Sequence, residues 1–256
     1  MGRIGTMHNE LAGKVALVTG GARNIGRAIS LALAEGGAAV LINARNSRAE
    51  AEQTAAMIRS GGGKAKVHLA DVTDARAVAA MADAAIGEFG RLDVLVNNAA
   101  IRAETPFAEI TLEEWRRVLA TVLDGAFLCA QACLPHMLRA GGGSVVNIGG
   151  MTGHQGAKGR AHVVAAKAGL AGLTRALALD LAAHGITVNC VVPGNIETLR
   201  GFPGTPERPA QRQDLPPLGR RGEPGDIAAA VRFLSGPGAR YITGQSLHAN
   251  GGGYLA

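Results

Sequence analysis

The sequence is poor in aromatic residues. Phe, Trp and Tyr together make up 3% of the 256 residues, and the two tyrosines, Tyr241 and Tyr254, lie near the carboxyl end. A platform of rings for stacking bases is therefore not expected. A reaction that uses a tyrosine has only these two candidates, both in the closing segment.

Cysteine is scarce as well. Cys129, Cys133 and Cys190 form an odd set without CxxC spacing, which excludes a disulfide framework and gives no zinc motif. We therefore expect no metal site and a reducing, cytoplasmic location.

Long apolar runs and basic clusters are also missing. We find no apolar run of about 18 residues, and the amino terminus lacks the apolar core of a signal peptide. The net charge of +6 is spread along the chain. We expect no membrane and no nucleic-acid partner, but a basic surface that suits an anionic cofactor or substrate.

What the sequence does have is glycine, 37 residues, and a regular alternation of two patterns. Short β-branched runs at 15–19, 39–43, 66–69, 94–97, 144–148, 187–192 and 246–249 predict strands. Alanine- and leucine-rich stretches of helical period at 25–35, 49–59, 75–88, 112–139, 162–183 and 225–234 predict helices. Strict alternation with strands apolar on both faces predicts an α/β fold, a doubly wound seven-stranded parallel sheet with helices on both faces.

The domain organisation follows from the same pattern. Residues 1–13 precede the first strand and are expected to be a flexible leader, and residues 14–256 form one domain. Residues 197–223 are rich in proline and glycine and lack apolar periodicity. A long irregular segment just after a strand end predicts a substrate lid.

The first strand leads into a glycine turn and then a helix. The turn reads Thr19-Gly20-Gly21-Ala22-Arg23-Asn24-Ile25-Gly26. Such a turn points free N–H groups and the positive end of a helix at a phosphate. Because the strand and the helix both lie where this requires, the turn predicts a dinucleotide-binding Rossmann domain.

With this turn and four later motifs the chain resembles the short-chain dehydrogenase/reductase family, in particular its branch of 3-oxoacyl-carrier-protein reductases. The family's Asp-Val, NNAG, PGxIxT and closing YxTG patterns correspond to residues 71–72, 97–100, 193–198 and 241–244, and Asn24 replaces the middle glycine of the turn. Asparagine tolerates the left-handed backbone that a glycine there supplies. The resemblance implies a nicotinamide cofactor bound by Gly20, Arg23, Asn24, Ile25, Gly26, Arg45, Asp71, Val72, Asn98, Ala99, Lys167, Pro193, Gly194, Ile196 and Thr198.

Charge at the end of the second strand favours NADP over NAD. NAD-binding domains carry a carboxylate there for the ribose hydroxyl. This sequence has Ala44 followed by Arg45, and Arg23 lies within the turn. Guanidinium groups bind a 2′-phosphate through paired, charge-assisted hydrogen bonds. The alternative is that both arginines are simply solvated.

The family's catalytic residues are mostly absent. The resemblance assigns a lysine to Lys167, but the tyrosine position four residues earlier is Val163 and the serine position is Gly150. The family's asparagine corresponds to Val122. The ribose-binding role of Lys167 does not depend on tyrosine, whereas its proton-relay role does.

Two histidines are candidates for a replacement proton donor. His162 precedes the empty tyrosine position, and His154 lies in the loop after the fifth predicted strand. Histidine titrates near neutrality and can supply a proton. The competing interpretation is that they lie in a subunit contact or an exposed loop.

Two main functions remain open. The first is an NADP(H)-dependent oxidoreductase acting on a small carbonyl, imine or activated double bond with unconventional proton donation. The second is a catalytically silent NADP-binding subunit or sensor, paired with an active homologue. Non-redox chemistry on the same scaffold is a weaker third. The resemblance implies a homotetramer or a dimer.

Overall fold

The computed structural model describes residues 9–198 and 215–255. Seven parallel strands form one sheet in the order β3-β2-β1-β4-β5-β6-β7. They are β1 Val15–Val18, β2 Ala39–Ala44, β3 Ala65–Leu69, β4 Val94–Asn97, β5 Gly143–Ile148, β6 Ile186–Pro193 and β7 Ser246–Ala249. The α/β fold class is confirmed.

Helices cover both faces of this sheet. They are α1 Asn24–Glu35, α2 Arg48–Ser60, α3 Ala75–Phe89, α4 Leu112–Leu119, α5 Gly125–Arg139, α6 Thr152–Gln155, α7 Ala161–Leu181 and α8 Pro224–Ser235. One core cluster joins the sheet to α1, α2 and α8, and another joins it to α3, α5 and α7. Alternate residues of β1 enter opposite clusters, Val15 and Leu17 on one face and Ala16 and Val18 on the other.

The predicted helix 112–139 is interrupted. A π-helical turn, Ala120–Asp124, separates α4 from α5, and it contains Val122. Such turns are uncommon and occur often at functional sites. Apolar periodicity does not distinguish it from an ordinary helical turn, so sequence reasoning missed it.

The stretch Leu112–Arg139 is also apolar enough to cross a membrane by length and composition, with a mean hydropathy of 1.6 over 18 residues. This corrects the expectation that no stretch reaches that length. Cys129, Cys133 and Met137 on α5 are buried in the core. We therefore interpret the stretch as helical structure that packs against the sheet.

The expected flexible leader is wrong for residues 9–13. Leu11 is 1% exposed and belongs to the core. Arg232 on α8 donates from Nε to Glu10 at 2.6 Å. One buried leucine beside an ion pair holds this segment on the fold, a contact that short-range periodicity does not reveal.

The predicted lid, 197–223, lies mostly outside the described residues, but its two ends lie side by side. The N–H of Glu197 donates to the carbonyl of Gly222 at 2.8 Å, and the N–H of Gly222 donates to that of Asn195 at 2.9 Å. The described ends of this segment therefore lie next to each other beside the end of β6.

A buried carboxylate, Asp93, stabilises the amino ends of β1 and β4. Asp93 is 2% exposed and accepts hydrogen bonds from Lys14, from Arg91 and from the N–H of Val15. Burial acts to raise the pKa of Asp93, but the hydrogen bonds from Arg91 and Lys14 outweigh it and hold the pKa below its ordinary value.

We predict that Asp93→Asn lowers the free energy of unfolding by about 3 kcal/mol, because it leaves two cations beside an uncharged buried group. Urea denaturation at pH 7 measures this. Glu88→Gln is the control: it removes the exposed partner of Lys66 and should cost less than about 1 kcal/mol. The Asp93 contribution should be present at neutral pH and decline as pH falls through its lowered pKa. Equal losses in the two variants would contradict the assignment.

Candidate active site

The carboxyl ends of the strands gather at one edge of the sheet, and β1 lies there between β2 and β4. In open α/β sheets this switch in strand order leaves a crevice in which ligands bind. The glycine turn follows β1 directly and borders that crevice.

Glycine is required in the turn by close packing. A Cβ at Gly26 would overlap the carbonyl oxygen of Gly20 and lie 2.7 Å from Nδ2 of Asn98. Gly20 has a φ of 60°, and Asn24 has a φ of 50°. The prediction that Asn24 replaces a glycine in a left-handed conformation agrees with this backbone.

Side chains from neighbouring strands hold the turn in place. Thr19 Oγ1 accepts from the N–H groups of Asn98 and Ala99 at 2.9 and 3.1 Å, and Asn98 Nδ2 donates to the carbonyls of Thr19 and Gly20 at 3.0 Å each. This interlock joins the end of β1 to the end of β4. It therefore explains why Asn98 and Ala99 lie beside the turn.

Asn43 is a positioning residue that sequence reasoning missed. Its Oδ1 accepts from the N–H of Gly20 at 3.3 Å, while its Nδ2 donates to the carbonyl of Ala70 at 3.0 Å. The side chain is buried at the end of β2. Its polar nature inside an apolar strand was the signal that could have identified it.

The start of α1 is left open to an anion. Arg23 is the N-cap residue, makes no capping hydrogen bond through its side chain, and no acidic residue occupies the first turn. Its side chain is exposed. Arg45 is 59% exposed and lies 3.7 Å from Oδ2 of Asp71. Ala44, at the end of β2, is buried and supplies no carboxylate.

The remaining predicted cofactor residues lie along the same edge. Val72 is buried against Gly125, where a Cβ would approach Val72 Cγ2 to 2.8 Å. Further along, Gly194 packs on the end of β7, where a Cβ would lie 2.8 Å from Cα of Asn250. Pro193, the last residue of β6, pairs with Ala249 of β7, and Ile196 and Thr198 follow it toward the predicted lid.

Lys167 projects from α7 toward β5. Its Nζ donates to the carbonyl oxygen of Ile148 at 2.5 Å. Burial lowers the pKa of Lys167 from 10.5 to about 8, and nearby Cys190 opposes part of that shift. Gly153 permits this packing, since a Cβ there would lie 2.8 Å from Cβ of Lys167.

Of positions 122, 150 and 163, only Gly150 is seen beside this lysine. A Cβ at Gly150 would lie 3.8 Å from Cγ of Lys167, an ordinary contact distance. Val122 and Val163 pack with Ala166 and Leu170 in a separate apolar cluster formed by α4, α7 and the π-helical turn. None of the three positions supplies a polar side chain.

His162 does not face solvent. It is 0% exposed, and its Nε2 lies 3.4 Å from Oε1 of Glu114 without the geometry of a hydrogen bond. Of the two alternatives to a proton donor, an exposed loop therefore does not apply to His162, which is buried on α7. Because Glu114 lies on α4 and accepts from Thr105, His162 is directed at the α4 contact, and a side chain so enclosed is poorly placed to deliver a proton to the cleft.

His154 packs in a cluster of rings at the chain's end. Its ring centroid lies 4.7 Å from that of His248 and 6.0 Å from that of Tyr254. A cavity of about 470 Å³ lies beside this cluster. Its walls include Asn195, Ile196, Pro217, Leu218, Arg220 and His248.

Comparison with known proteins agrees with these features. The family profile described as Enoyl-(Acyl carrier protein) reductase matches residues 20–253. The 3-oxoacyl-(acyl-carrier-protein) reductase FabG of Staphylococcus aureus is 43% identical over 242 residues, which are 94% of this chain and 98% of that protein. The FabG of Vibrio cholerae is 40% identical over 246 residues, 96% of this chain and 99% of that protein.

Solved structures show the same architecture. The short-chain dehydrogenase/reductase from Serratia marcescens BCRC 10948 has a TM-score of 0.89 at 38% identity, covering 96% of this chain and 100% of that one. A dehydrogenase/reductase from Sinorhizobium meliloti 1021 has a TM-score of 0.90 at 37% identity, covering 97% and 98%. The chain belongs to the short-chain dehydrogenase/reductase family. Within this family its relatives support the branch of 3-oxoacyl-carrier-protein reductases.

We predict that the side chain of Lys167 titrates near pH 8. NMR of the lysine ε-methylene groups should show one signal with that midpoint, and Lys167→Met should remove it. Because the pKa is lower in the folded than in the unfolded chain, this group should make stability rise as pH increases from about 8 toward 10.5. A Lys167 midpoint at its ordinary value would contradict the assigned burial.

Proposed function

We propose that the chain is an NADP(H)-dependent oxidoreductase that acts on a small carbonyl, imine or activated double bond without a tyrosine as proton donor. The observation that supports this proposal is a glycine turn together with Lys167 beside Gly150, in a site where positions 122, 150 and 163 carry no polar side chain. The proposal includes a cytoplasmic location and a homotetramer or dimer.

The turn fits a dinucleotide because its glycines have no side chains to cover the backbone where phosphates would lie. A Cβ at Gly26 would overlap the carbonyl oxygen of Gly20 and so disrupt the turn, and the start of α1 has neither an acidic residue nor a side-chain capping hydrogen bond from Arg23. The first N–H groups of a helix have no partner within it, so they are available to an anion.

The charges near the ends of β1 and β2 favour NADP, which carries a 2′-phosphate, over NAD. Arg23 and Arg45 lie at the ends of β1 and β2, the strands between which the adenosine side of a dinucleotide is held in this fold. No carboxylate occurs at Ala44. Arg45 forms an exposed ion pair with Asp71 at 3.7 Å. Such a pair contributes little free energy, so a phosphate can replace Asp71 as the partner of Arg45.

When bound, a nicotinamide supplies or accepts a hydride. The closeness of Lys167 to Gly150, and its position one helical turn after Val163, support a role for its titratable side chain here. With a pKa of about 8 it is mostly protonated at neutral pH, and a catalytic acid works best when its pKa is near the working pH. We therefore assign the proton to Lys167, directly or through water, rather than to His162 or His154. This donation bypasses the relay through tyrosine that the family resemblance implies.

The second candidate is a silent NADP-binding subunit. It is favoured by the apolar side chains at Val122 and Val163 and by exposed apolar residues on the outer faces of α5 and α7, which suit a partner subunit. Leu179 is 82% exposed and Phe127 is 47% exposed. Its partner would be an active homologue or a second copy.

We predict that the protein binds NADPH more tightly than NADH. Arg23→Ala and Arg45→Ala should each weaken NADPH binding about tenfold, the loss of one charge-assisted hydrogen bond, and leave NADH binding almost unchanged. Nucleotide fluorescence titration measures both. Arg139→Ala, at the far end of α5, is the control.

Two outcomes of this titration would count against the proposal. Equal affinity for the two nucleotides would remove the assigned 2′-phosphate site, and no binding of either would remove both candidate functions. Gly26→Ala should abolish binding, whereas Gly87→Ala, whose added Cβ meets nothing within 4 Å, should not.

We further predict that Val163→Tyr combined with Gly150→Ser raises the rate of ketone reduction at least tenfold. A positioned general acid contributes about 10² to 10⁴ in rate, and position 150 has room for a side chain. Steady-state reduction of a small ketone measures it. The matched control is Val163→Phe with Gly150→Ala, which adds the same bulk without hydroxyls. If both double variants behave alike, the surrounding pocket does not hold a substrate as proposed.

A further inference from the structure

We propose that Thr152 supplies the hydroxyl that binds the substrate oxygen, in place of the serine absent from position 150. This rests on the proposed function and narrows it. The substrate would carry a carbonyl oxygen at its reacting centre rather than an iminium nitrogen.

The geometry places the Thr152 hydroxyl beside the missing side chain. A Cβ at Gly150 would lie 3.7 Å from Oγ1 of Thr152 and 3.8 Å from Cγ of Lys167. These are the two nearest atoms to that point. A hydroxyl group and the stem of the lysine therefore border the open space at position 150.

The turn that carries Thr152 is held rigidly. The N–H of Met151 donates to the carbonyl of Pro193 at 3.0 Å, and the N–H of Gly153 donates to that of Gly150 at 2.9 Å. Gly153 then packs on Lys167 so closely that a Cβ would lie 2.9 Å from the lysine's backbone carbonyl carbon. Backbone contacts thus fix Thr152 on both sides relative to Lys167.

The hydroxyl group of Thr152 takes no part in the hydrogen bonds of the described residues. Among the contacts of the described residues, its Oγ1 makes no hydrogen bond, whereas Thr19, Thr54, Thr121 and Thr174 all use theirs. Thr152 is partly buried. A partly buried hydroxyl without a protein partner is available to a ligand.

The chemistry of this donor selects the substrate. A hydroxyl can donate to a carbonyl oxygen, whose negative charge grows as hydride arrives, and such a donor contributes about 10² to 10³ in rate. An iminium nitrogen has no lone pair to accept a hydrogen bond and gains nothing from the hydroxyl. Aldehydes, ketones and enones therefore fit this site, and Lys167 supplies the proton that balances the reduction at oxygen.

The test compares Thr152→Val with Thr152→Ser in the full-length protein. Thr152→Val should lower kcat for ketone reduction at least tenfold, with an unchanged NADPH affinity and an unchanged rate on a cyclic iminium. Thr152→Ser should retain the ketone rate. Thr187→Val, at the amino end of β6, is the matched control and should change neither rate.

A rescue variant adds a sharper condition. If the two positions share one role, Gly150→Ser should restore ketone reduction in the Thr152→Val protein and add less than threefold to the wild type. Failure of Gly150→Ser to restore activity, or an equal loss on the iminium, would overturn the assignment.

A spectroscopic measurement separates this inference from the proposed function. The infrared C=O stretch of a carbon-13-labelled ketone bound to the NADP⁺ complex should lie at lower frequency in the wild type and Thr152→Ser than in Thr152→Val. No turnover is needed. The same frequency in all three proteins, or no band from bound ketone, would overturn the role of Thr152. A shifted band without turnover would leave it standing and count against the proposed oxidoreductase.

Discussion

A Cβ at Gly26 would overlap the carbonyl of Gly20 and approach the side chain of Asn98. The glycine turn therefore packs against the ends of β1 and β4 too closely for residue 26 to carry a side chain. Asn98 and Thr19 use that closeness by exchanging hydrogen bonds across the two strand ends. This contact places the start of α1 against the ends of β1 and β4, at the crevice where the strand order switches.

A second close contact lies on the other half of the sheet. Gly153 packs on Lys167, and Lys167 binds the carbonyl of Ile148. Neither contact involves position 163, so the place of Lys167 does not depend on the side chain there. Close backbone approach builds both halves of the site, and the side chains of Thr19 and Asn98 add hydrogen bonds to the first half.

The sequence predicted much of this because the signals are local. Period-two and helical apolar patterns determine which strands and helices form, and the glycine turn, including the left-handed Asn24, follows from backbone sterics within eight residues. What it missed depends on tertiary contacts. Leu11 and Glu10 join α8 from more than two hundred residues away, Asn43 ties β2 to the turn, and His162 is enclosed by α4.

Exposure also could not be predicted for the candidate proton donors. His162 and His154 were chosen for their chemistry and their distance along the chain, but side-chain direction is set by packing. Thr152 was overlooked for the complementary reason. It lies outside the family's motif and becomes notable only when position 150 is found open toward it.

The buried lysine shows what the site still requires. Lowering its pKa from 10.5 to about 8 corresponds to about 3 kcal/mol against the charged form. An ammonium group has three donors, and Ile148 accepts one of them. A fold that only needed packing at this position would be better served by an uncharged side chain. The two remaining donors therefore favour a ligand with oxygen acceptors, as a ribose and a carbonyl substrate together provide.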